Sequence, residues 1–97
     1  MVDDPKISIV IPVYNDPDGV QQTIKAVIGQ SFSEYEIWVS DNDSTDSTRA
    51  IAERYATDNS HLNFVVEDEL QGSYAARNKG LQHASGDVIA FLDADET

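Results

Sequence analysis

Residues 86–96 are Gly-Asp-Val-Ile-Ala-Phe-Leu-Asp-Ala-Asp-Glu, and the fold prediction starts from them. The apolar run from Val88 to Leu92 is bounded by glycine and by charge, which predicts a strand buried on both faces, as in a parallel sheet. Asp93 and Asp95 follow that strand at once. Because residues i and i+2 of a strand point the same way, an extended backbone aims both carboxylates to one side.

Two carboxylates held this close repel each other unless a cation or a proton lies between them. Oxygen ligands of this kind suit a hard divalent ion such as Mg²⁺ or Mn²⁺. Open α/β sheets also bind their ligands at the carboxyl ends of the strands. A solvated acidic turn after a core strand would have the same sequence, so the pair by itself leaves both interpretations open.

The composition limits the classes of partner. A chain of 97 residues is one small domain at most, and six basic against eighteen acidic side chains give a net charge of −12. That charge argues against nucleic acid or an anionic membrane surface as a direct partner. It does not argue against a phosphate-bearing ligand, provided that a metal ion screens the repulsion between the ligand and the protein. There is no cysteine, which excludes disulfides and thiolate chemistry.

No apolar run approaches the roughly 18–20 residues of a membrane span. The N-terminus also lacks the basic region and apolar stretch of a signal peptide. We therefore expect a cytoplasmic location, with membrane association left open for a full-length protein.

Strands and helices are predicted to alternate along the chain. The predicted strands are Lys6–Ile11, Glu36–Ser40, Leu62–Val66 and Val88–Leu92. The predicted helices run from an Asp16 cap to near Ser31, from near Thr45 past Tyr55, and from Ser73 to about Ala84. Ala75, Ala76 and Leu81 are expected to pack the third helix. The β-α-β-α-β-α-β pattern predicts an α/β fold: a Rossmann-like, three-layer αβα arrangement with a parallel sheet in the order 3-2-1-4.

Polar and aromatic residues follow the first two strands. Pro12-Val13-Tyr14-Asn15 stands where a dinucleotide fold has a glycine-rich turn, and the Tyr14 ring and Asn15 amide could contact a base and a ribose. Tyr14 as a packed loop residue is the alternative. Asp41 ends the second strand at the same edge, where a carboxylate can accept hydrogen bonds from a base N–H or a ribose hydroxyl.

Charged residues also occur near the starts of the second and third helices. Asp43 and Asp46 are expected to be caps, because negative charge is favourable at a helix N-terminus. Arg77 falls in the first two turns of the third helix, where a guanidinium could meet a diphosphate. The alternative for Arg77 is a surface ion pair with Glu67 or Glu69.

Four motifs occur in one order: Pro12-Val13-Tyr14-Asn15, then residues 41–46 (Asp-Asn-Asp-Ser-Thr-Asp), residues 72–81 (Gly-Ser-Tyr-Ala-Ala-Arg-Asn-Lys-Gly-Leu) and residues 86–95. With these motifs, residues 7–96 resemble the N-terminal half of a family 2 glycosyltransferase with the GT-A fold. The resemblance implies a nucleotide-sugar-binding segment of an inverting enzyme. Its donor would be an NDP-sugar, most commonly UDP-linked, and its acceptor a hydroxyl.

The resemblance also implies roles for individual residues. Pro12, Tyr14 and Asp41 would hold the base and ribose, and Arg77 would lie near the nucleotide. The pair Asn42-Asp43 departs from the Asp-Gly that is commoner at that place in the family.

The resemblance assigns the metal as well. Asp93 and Asp95 match the Asp-x-Asp motif of the family. Asp93 would approach the ribose or sugar, and Asp95 would ligate the Mn²⁺ or Mg²⁺ that bridges the diphosphate. A divalent cation is also what a −12 chain needs in order to bind a diphosphate and to stabilise it as a leaving group.

Members of the family are typically much longer. Their acceptor-binding half, and the carboxylate that deprotonates the acceptor, come after the Asp-x-Asp motif. Residues 1–97 are therefore interpreted as the truncated nucleotide-sugar-binding part, with the catalytic base unknown. We expect no sugar transfer by this chain alone, and its acceptor, whether glycan, lipid or protein, is undetermined.

Two other functions fit parts of the sequence. Asp93-x-Asp95-x-Thr97 matches the opening motif of haloacid-dehalogenase-type phosphatases, although that motif usually follows the first strand of its domain. A Rossmann-like, non-catalytic interaction module is the second alternative.

Self-association is a separate expectation, because the fourth strand would be an apolar sheet edge without Pro or Lys.

Overall fold

The structure, a computed structural model, describes residues 6–29 and 35–92. Strands and helices alternate along these ranges: β1 Ile7–Val13, α1 Pro17–Ile28, β2 Tyr35–Asp41, α2 Thr48–Asp58, β3 Leu62–Val66, α3 Ser73–His83 and β4 Val88–Phe91. The four strands form one parallel sheet in the order β3-β2-β1-β4. The predicted α/β fold class and strand order are confirmed.

The larger apolar core lies between the sheet and helices α1 and α2. Alternate residues of β1 and β2 point into it, and Val20, Ile24 and Val27 recur on one side of α1 at helical spacing. Its buried members are Ile9, Ile11, Val13, Val20, Ile24, Val27, Ile37, Val39, Ala52 and Leu62. Helix α3 covers the opposite face, which completes the predicted three layers.

Helix α3 approaches the sheet closely at a glycine. A methyl group added at Gly80 would lie 2.5 Å from the Val10 side chain of β1 and 3.6 Å from Ser40 of β2. Ala76, one turn earlier, is also buried. Small residues on this side of α3 therefore set its distance from β1 and β2.

Carboxylates mark the starts of the first two helices. The Asp16 carboxylate accepts a hydrogen bond from the Gly19 N–H at 3.0 Å, and Pro17 begins α1, as predicted. Helix α2 starts at Thr48 rather than near Thr45, because the Asp46 carboxylate accepts from the Thr48 N–H at 2.9 Å and keeps the preceding residues in a loop. Asp46 thus bonds the first N–H of α2, although the cap position is Ser47, whose side chain makes no hydrogen bond to the helix. The prediction that Asp43 is a cap is wrong, because its carboxylate pairs with Arg49 instead. Within the described ranges, no helix has both the length and the apolar character needed to cross a bilayer.

Two predictions of burial are wrong. Val88, Phe91 and Leu92 are 46%, 45% and 40% exposed, because β4 pairs only with β1 among the described strands and lies outside the main helix contacts. Leu81 is 44% exposed, because α3 turns Ala76 and Gly80 towards the sheet instead.

A polar network at the amino edge of the sheet joins β4 to β1 and β2. The Glu36 carboxylate accepts hydrogen bonds from the Ser8 hydroxyl at 2.6 Å and the Ser85 N–H at 2.7 Å. Ser8 in turn accepts from the Gly86 N–H, and a methyl group added at Gly86 would lie 2.5 Å from the Ser8 oxygen. Burial acts to raise the pKa of Glu36, but these hydrogen bonds and the Lys6 charge outweigh it and lower that pKa.

We expect Glu36→Gln to lower the free energy of unfolding by about 1 kcal/mol at neutral pH, because it weakens hydrogen bonds to a charged acceptor. Since the pKa of Glu36 is lower in the folded state than its ordinary 4.5, the stabilisation is present above pH 4.5 and lost as the pH falls through the folded-state pKa. Urea unfolding from neutral to acidic pH measures this. Exposed Glu53→Gln is the charge-matched control, and a Glu36 effect that does not change with pH would contradict the assignment.

An apolar groove of about 410 Å³ runs along β4. It is lined by Ile7, Ile9, Ala26, Val27, Val88, Ala90 and Leu92. Exposed strand edges and apolar patches of this kind favour association between chains. The predicted self-association through β4 stays a prediction.

We expect the mass measured by light scattering to rise with protein concentration, and Val88→Lys to shift it towards the monomer by placing a charge on β4. Leu81→Lys is the matched control, because Leu81 is similarly exposed but lies on α3. A monomer at every concentration, with fast amide exchange in β4, would refute association through this strand.

Candidate functional site

Three polar loops meet at the carboxyl edge of the sheet, because every strand in a parallel sheet points the same way. We call them L1 (residues 14–16, after β1), L2 (residues 42–47, after β2) and L3 (residues 67–72, after β3). L3 leads into α3.

L1 and L2 are tied together by Asn15. Its N–H donates to the Ser44 hydroxyl at 2.9 Å, and its side-chain oxygen accepts from the Thr45 N–H at 2.8 Å. Asn15 has a φ of +46°, a left-handed conformation that asparagine adopts more readily than most residues. The amide predicted to contact a ligand therefore joins the two loops.

Asp41 is completely buried and organises L2. Its two carboxylate oxygens accept hydrogen bonds from the Ser44 hydroxyl at 2.6 Å and the Ser44 N–H at 2.8 Å. The Arg49 guanidinium lies 3.8 Å from Asp41 and 3.3 Å from Asp43, so it bridges both carboxylates. Asp43 has a φ of +63°. A direct contact of Asp41 with a base or ribose stays a prediction.

Asn42 joins L2 to L3, a role the sequence analysis did not identify. It is 1% exposed, and its side chain hydrogen-bonds to Glu67, Leu70, Gln71 and Gly72. The only sequence signal was a polar residue directly after a buried strand. Its partners lie 25–30 residues away in the chain, which no local pattern reveals.

L3 is also held by its own glutamate. The Glu67 carboxylate accepts hydrogen bonds from the Leu70 N–H at 2.9 Å and the Glu69 N–H at 3.0 Å, and Lys79 of α3 lies 3.8 Å away. The N–H groups of Leu70 and Glu69, together with the Lys79 charge, hold the pKa of Glu67 below its ordinary value. Glu67 is therefore an ionised anchor for L3 at neutral pH.

The other predicted nucleotide contacts lie around these loops. Pro12 is buried near the end of β1, Tyr14 is 42% exposed in L1, and Arg77 is partly buried in the second turn of α3. Two further exposed apolar side chains, Leu70 in L3 and Tyr74 in α3, were not singled out by the sequence analysis. Polar loops with exposed rings beside them offer both hydrogen-bonding and stacking partners for a planar ligand.

The predicted metal ligands Asp93 and Asp95 lie outside the described residues. The N–H of Leu92, the last described residue, donates to the Val10 carbonyl of β1 at 3.0 Å, so the chain still lies beside β1 at that point. Within residues 6–29 and 35–92, no three His, Cys, Asp or Glu side chains group closely enough to hold a metal ion. The carboxylate pair nonetheless has the donor chemistry that Mn²⁺ or Mg²⁺ requires.

The sequence matches the model of the family described as glycosyl transferase family 2 over residues 8–97. It is 46% identical over 93 residues to glycosyltransferase AglE of Haloferax volcanii, covering 94% of this chain and 31% of that protein. It is 35% identical to the UDP-Glc:alpha-D-GlcNAc-diphosphoundecaprenol beta-1,3-glucosyltransferase WfgD of Escherichia coli, covering 98% of this chain and 37% of that protein. The chain thus spans about a third of the length of these relatives.

Solved structures share the fold. The mannosyltransferase PcManGT from Pyrobaculum calidifontis, in complex with GDP-Man and Mn²⁺, aligns with a TM-score of 0.85 and 29% identity, over 94% of this chain and 28% of that one. S. aureus TarS 1-349 in complex with UDP aligns with a TM-score of 0.82 and 31% identity, over 93% of this chain and 27% of that one.

We expect Asp41→Asn to lower the free energy of unfolding by about 2 kcal/mol, because it removes the buried charged acceptor of two Ser44 hydrogen bonds and the ion pair with Arg49. Asp43→Asn is the matched control, since Asp43 pairs with Arg49 at the surface and should contribute less than about 1 kcal/mol. Urea unfolding of both variants measures this. Equal effects would contradict the organising role of Asp41.

Proposed function

Because the chain belongs to glycosyltransferase family 2, we propose that it is the donor-nucleotide part of an inverting glycosyltransferase. The donor is a nucleoside diphosphate sugar, UDP-linked, and the sugar is transferred to an acceptor hydroxyl. The observation that carries this proposal is the convergence of L1, L2 and L3 at one sheet edge, where buried side chains lock them together.

The nucleotide is proposed to lie across these loops. The half-exposed Tyr14 ring would stack on the base. Pro12, which is buried two residues earlier, restricts the backbone that leads to Tyr14. Asp41 shapes L2 through Ser44. Because Asp41 is fully buried, it can accept a direct hydrogen bond from a base N–H or a ribose hydroxyl only if Ser44 moves aside. The similarity to structures in complex with UDP and UDP-GlcNAc supports a nucleotide ligand.

The diphosphate is proposed to lie near Asp93, Asp95 and Arg77. Asp95 and Asp93 would hold Mn²⁺ or Mg²⁺, which when bound screens the carboxylates and stabilises the diphosphate leaving group. Arg77 supplies a protein cation on the α3 side. The similarity to a mannosyltransferase in complex with GDP-Man and Mn²⁺ supports a divalent ion.

Transfer with inversion requires the acceptor hydroxyl to lose a proton as it attacks the anomeric carbon. We assign no residue of this chain to that step. Family membership removes the support for the phosphatase alternative, because that interpretation rested on Asp93-x-Asp95-x-Thr97 alone. A non-catalytic interaction module remains as an outcome of the binding test.

We expect the chain to bind UDP with Mn²⁺ and to lose at least about tenfold in affinity without it, because a −12 protein repels a diphosphate. Asp95→Ala should abolish the effect of Mn²⁺. Calorimetric titration of UDP with and without Mn²⁺ measures both.

Asp58→Ala is the matched control, because it removes an exposed carboxylate from the far end of α2, at the amino edge of the sheet. Equal Mn²⁺-dependent binding by wild type and Asp95→Ala would remove the metal assignment. Absence of UDP binding under every condition would favour the interaction module.

A further inference from the structure

We propose that Asn42 is a positioning residue for the donor nucleotide. It locks L3, and with it the first turn of α3, against the ends of β1 and β2. This inference rests on the proposed function, since it assigns a role within the same site. The Asn42 side chain is uncharged, polar and 1% exposed, and it lies between loops rather than in the apolar core.

The Asn42 amide uses its full hydrogen-bonding capacity within L3. Its Nδ2 donates to the carbonyls of Glu67 at 3.1 Å and Leu70 at 2.8 Å. Its Oδ1 accepts from the Gly72 N–H at 2.6 Å and the Gln71 side chain at 2.9 Å. The NH₂ group faces two carbonyls and the amide oxygen faces two donors. These partners therefore fix the orientation of the amide, since a flipped amide would match neither set.

The backbone around Asn42 connects this lock to the sheet. The Asn42 N–H donates to the Val13 carbonyl of β1 at 2.9 Å, and the Glu67 N–H donates to the Asp41 carbonyl at 2.8 Å. Asn42 therefore contacts the end of β1, follows the end of β2 and holds the loop after β3.

The lock determines where α3 begins. Gly72, whose N–H is bound by Asn42, has a φ of +123° and is the cap residue before Ser73. That backbone conformation favours glycine. The chain therefore turns into α3 at Gly72, the residue whose N–H is hydrogen-bonded to the Asn42 side chain. The position of Arg77, one turn further along, depends on this start.

In this chain the contact uses both the donors and the acceptor of the Asn42 amide. Aspartate at this position could still accept from Gly72 and Gln71. Its second oxygen would face the carbonyl oxygens of Glu67 and Leu70 at about 3 Å, with no proton between them. Protonation of that carboxyl would restore one donor, and burial beside carbonyls acts to raise its pKa.

The first test compares wild type with Asn42→Asp by UDP calorimetry in Mn²⁺ and by amide exchange. At neutral pH we expect the variant to bind UDP about tenfold more weakly, and the Leu70 and Gly72 amides to exchange faster. As the pH is lowered towards about 5.5, the affinity ratio between variant and wild type should narrow, because the introduced carboxyl takes up a proton. The affinity of the folded protein is the measurement that a contribution to stability alone would leave unchanged.

A second variant keeps the test decisive if Asn42→Asp does not fold. Gln71→Glu changes only an exposed side chain and turns its donor into a carboxylate facing the Asn42 oxygens. We expect it to weaken UDP binding a few-fold and to speed Gly72 exchange. Gln82→Glu adds the same charge to exposed α3 surface away from L3, and should leave both unchanged.

The outcomes separate the two proposals. Wild-type UDP affinity in Asn42→Asp, or in Gln71→Glu should the first variant not fold, would overturn the positioning role. A lower urea midpoint with unchanged affinity of the folded protein would overturn it too, since Asn42 would then act on stability alone. If wild type itself binds no UDP, the proposed function fails and the positioning role falls with it. Faster Gly72 exchange in Asn42→Asp would then describe only a structural contact.

Discussion

The central strand β1 is paired on both sides, and the rest of the fold depends on that pairing. Six of its seven residues are buried, and it is bonded to β2 along one edge and to β4 along the other. Parallel neighbours can be joined only by crossovers that return over the sheet, so each helix begins at the carboxyl edge and ends at the amino edge. The convergence of L1, L2 and L3 follows from this constraint.

The two edges of the sheet carry different polar chemistry. At the amino edge, the Glu36 carboxylate takes hydrogen bonds from Ser8 and Ser85 and fixes the entry to β4. At the carboxyl edge, Asp41 and Asn42 fix the loops instead. Buried polar groups stabilise only where their partners are present, so each network specifies one arrangement of the backbone around it.

Much of the fold could be predicted because its signals are local. The β3 boundaries, the Asp16 cap and the strand order follow from apolar runs, cap residues and crossover handedness. The exposure of Val88 is a long-range effect, because it depends on which elements cover β4. The late start of α2 is a local one: the Thr48 N–H donates to Asp46, and the loop before it offers several residues that could cap a helix.

The candidate site divides in the same way. The resemblance to a family selected residues that lie at the carboxyl edge, including Tyr14 and Asp41. It gave no role to Asn42, because a buried amide is recognised only by partners that come together in three dimensions. Composition could suggest a metal, since a −12 chain needs a cation beside a diphosphate, but it could not suggest the contacts that hold the three loops together.

The hydrogen bonds between Asn15 and its two partners in L2 have a consequence for recombination. A chimera that took L1 from one family member and L2 from another would break the bond between Asn15 and Ser44, and the one to Thr45, unless both sides were compatible. The two loops should therefore be transplanted as one unit, although about 25 residues and a whole helix separate them in the sequence. Directed evolution of the proposed nucleotide site would gain from randomising L1 and L2 together.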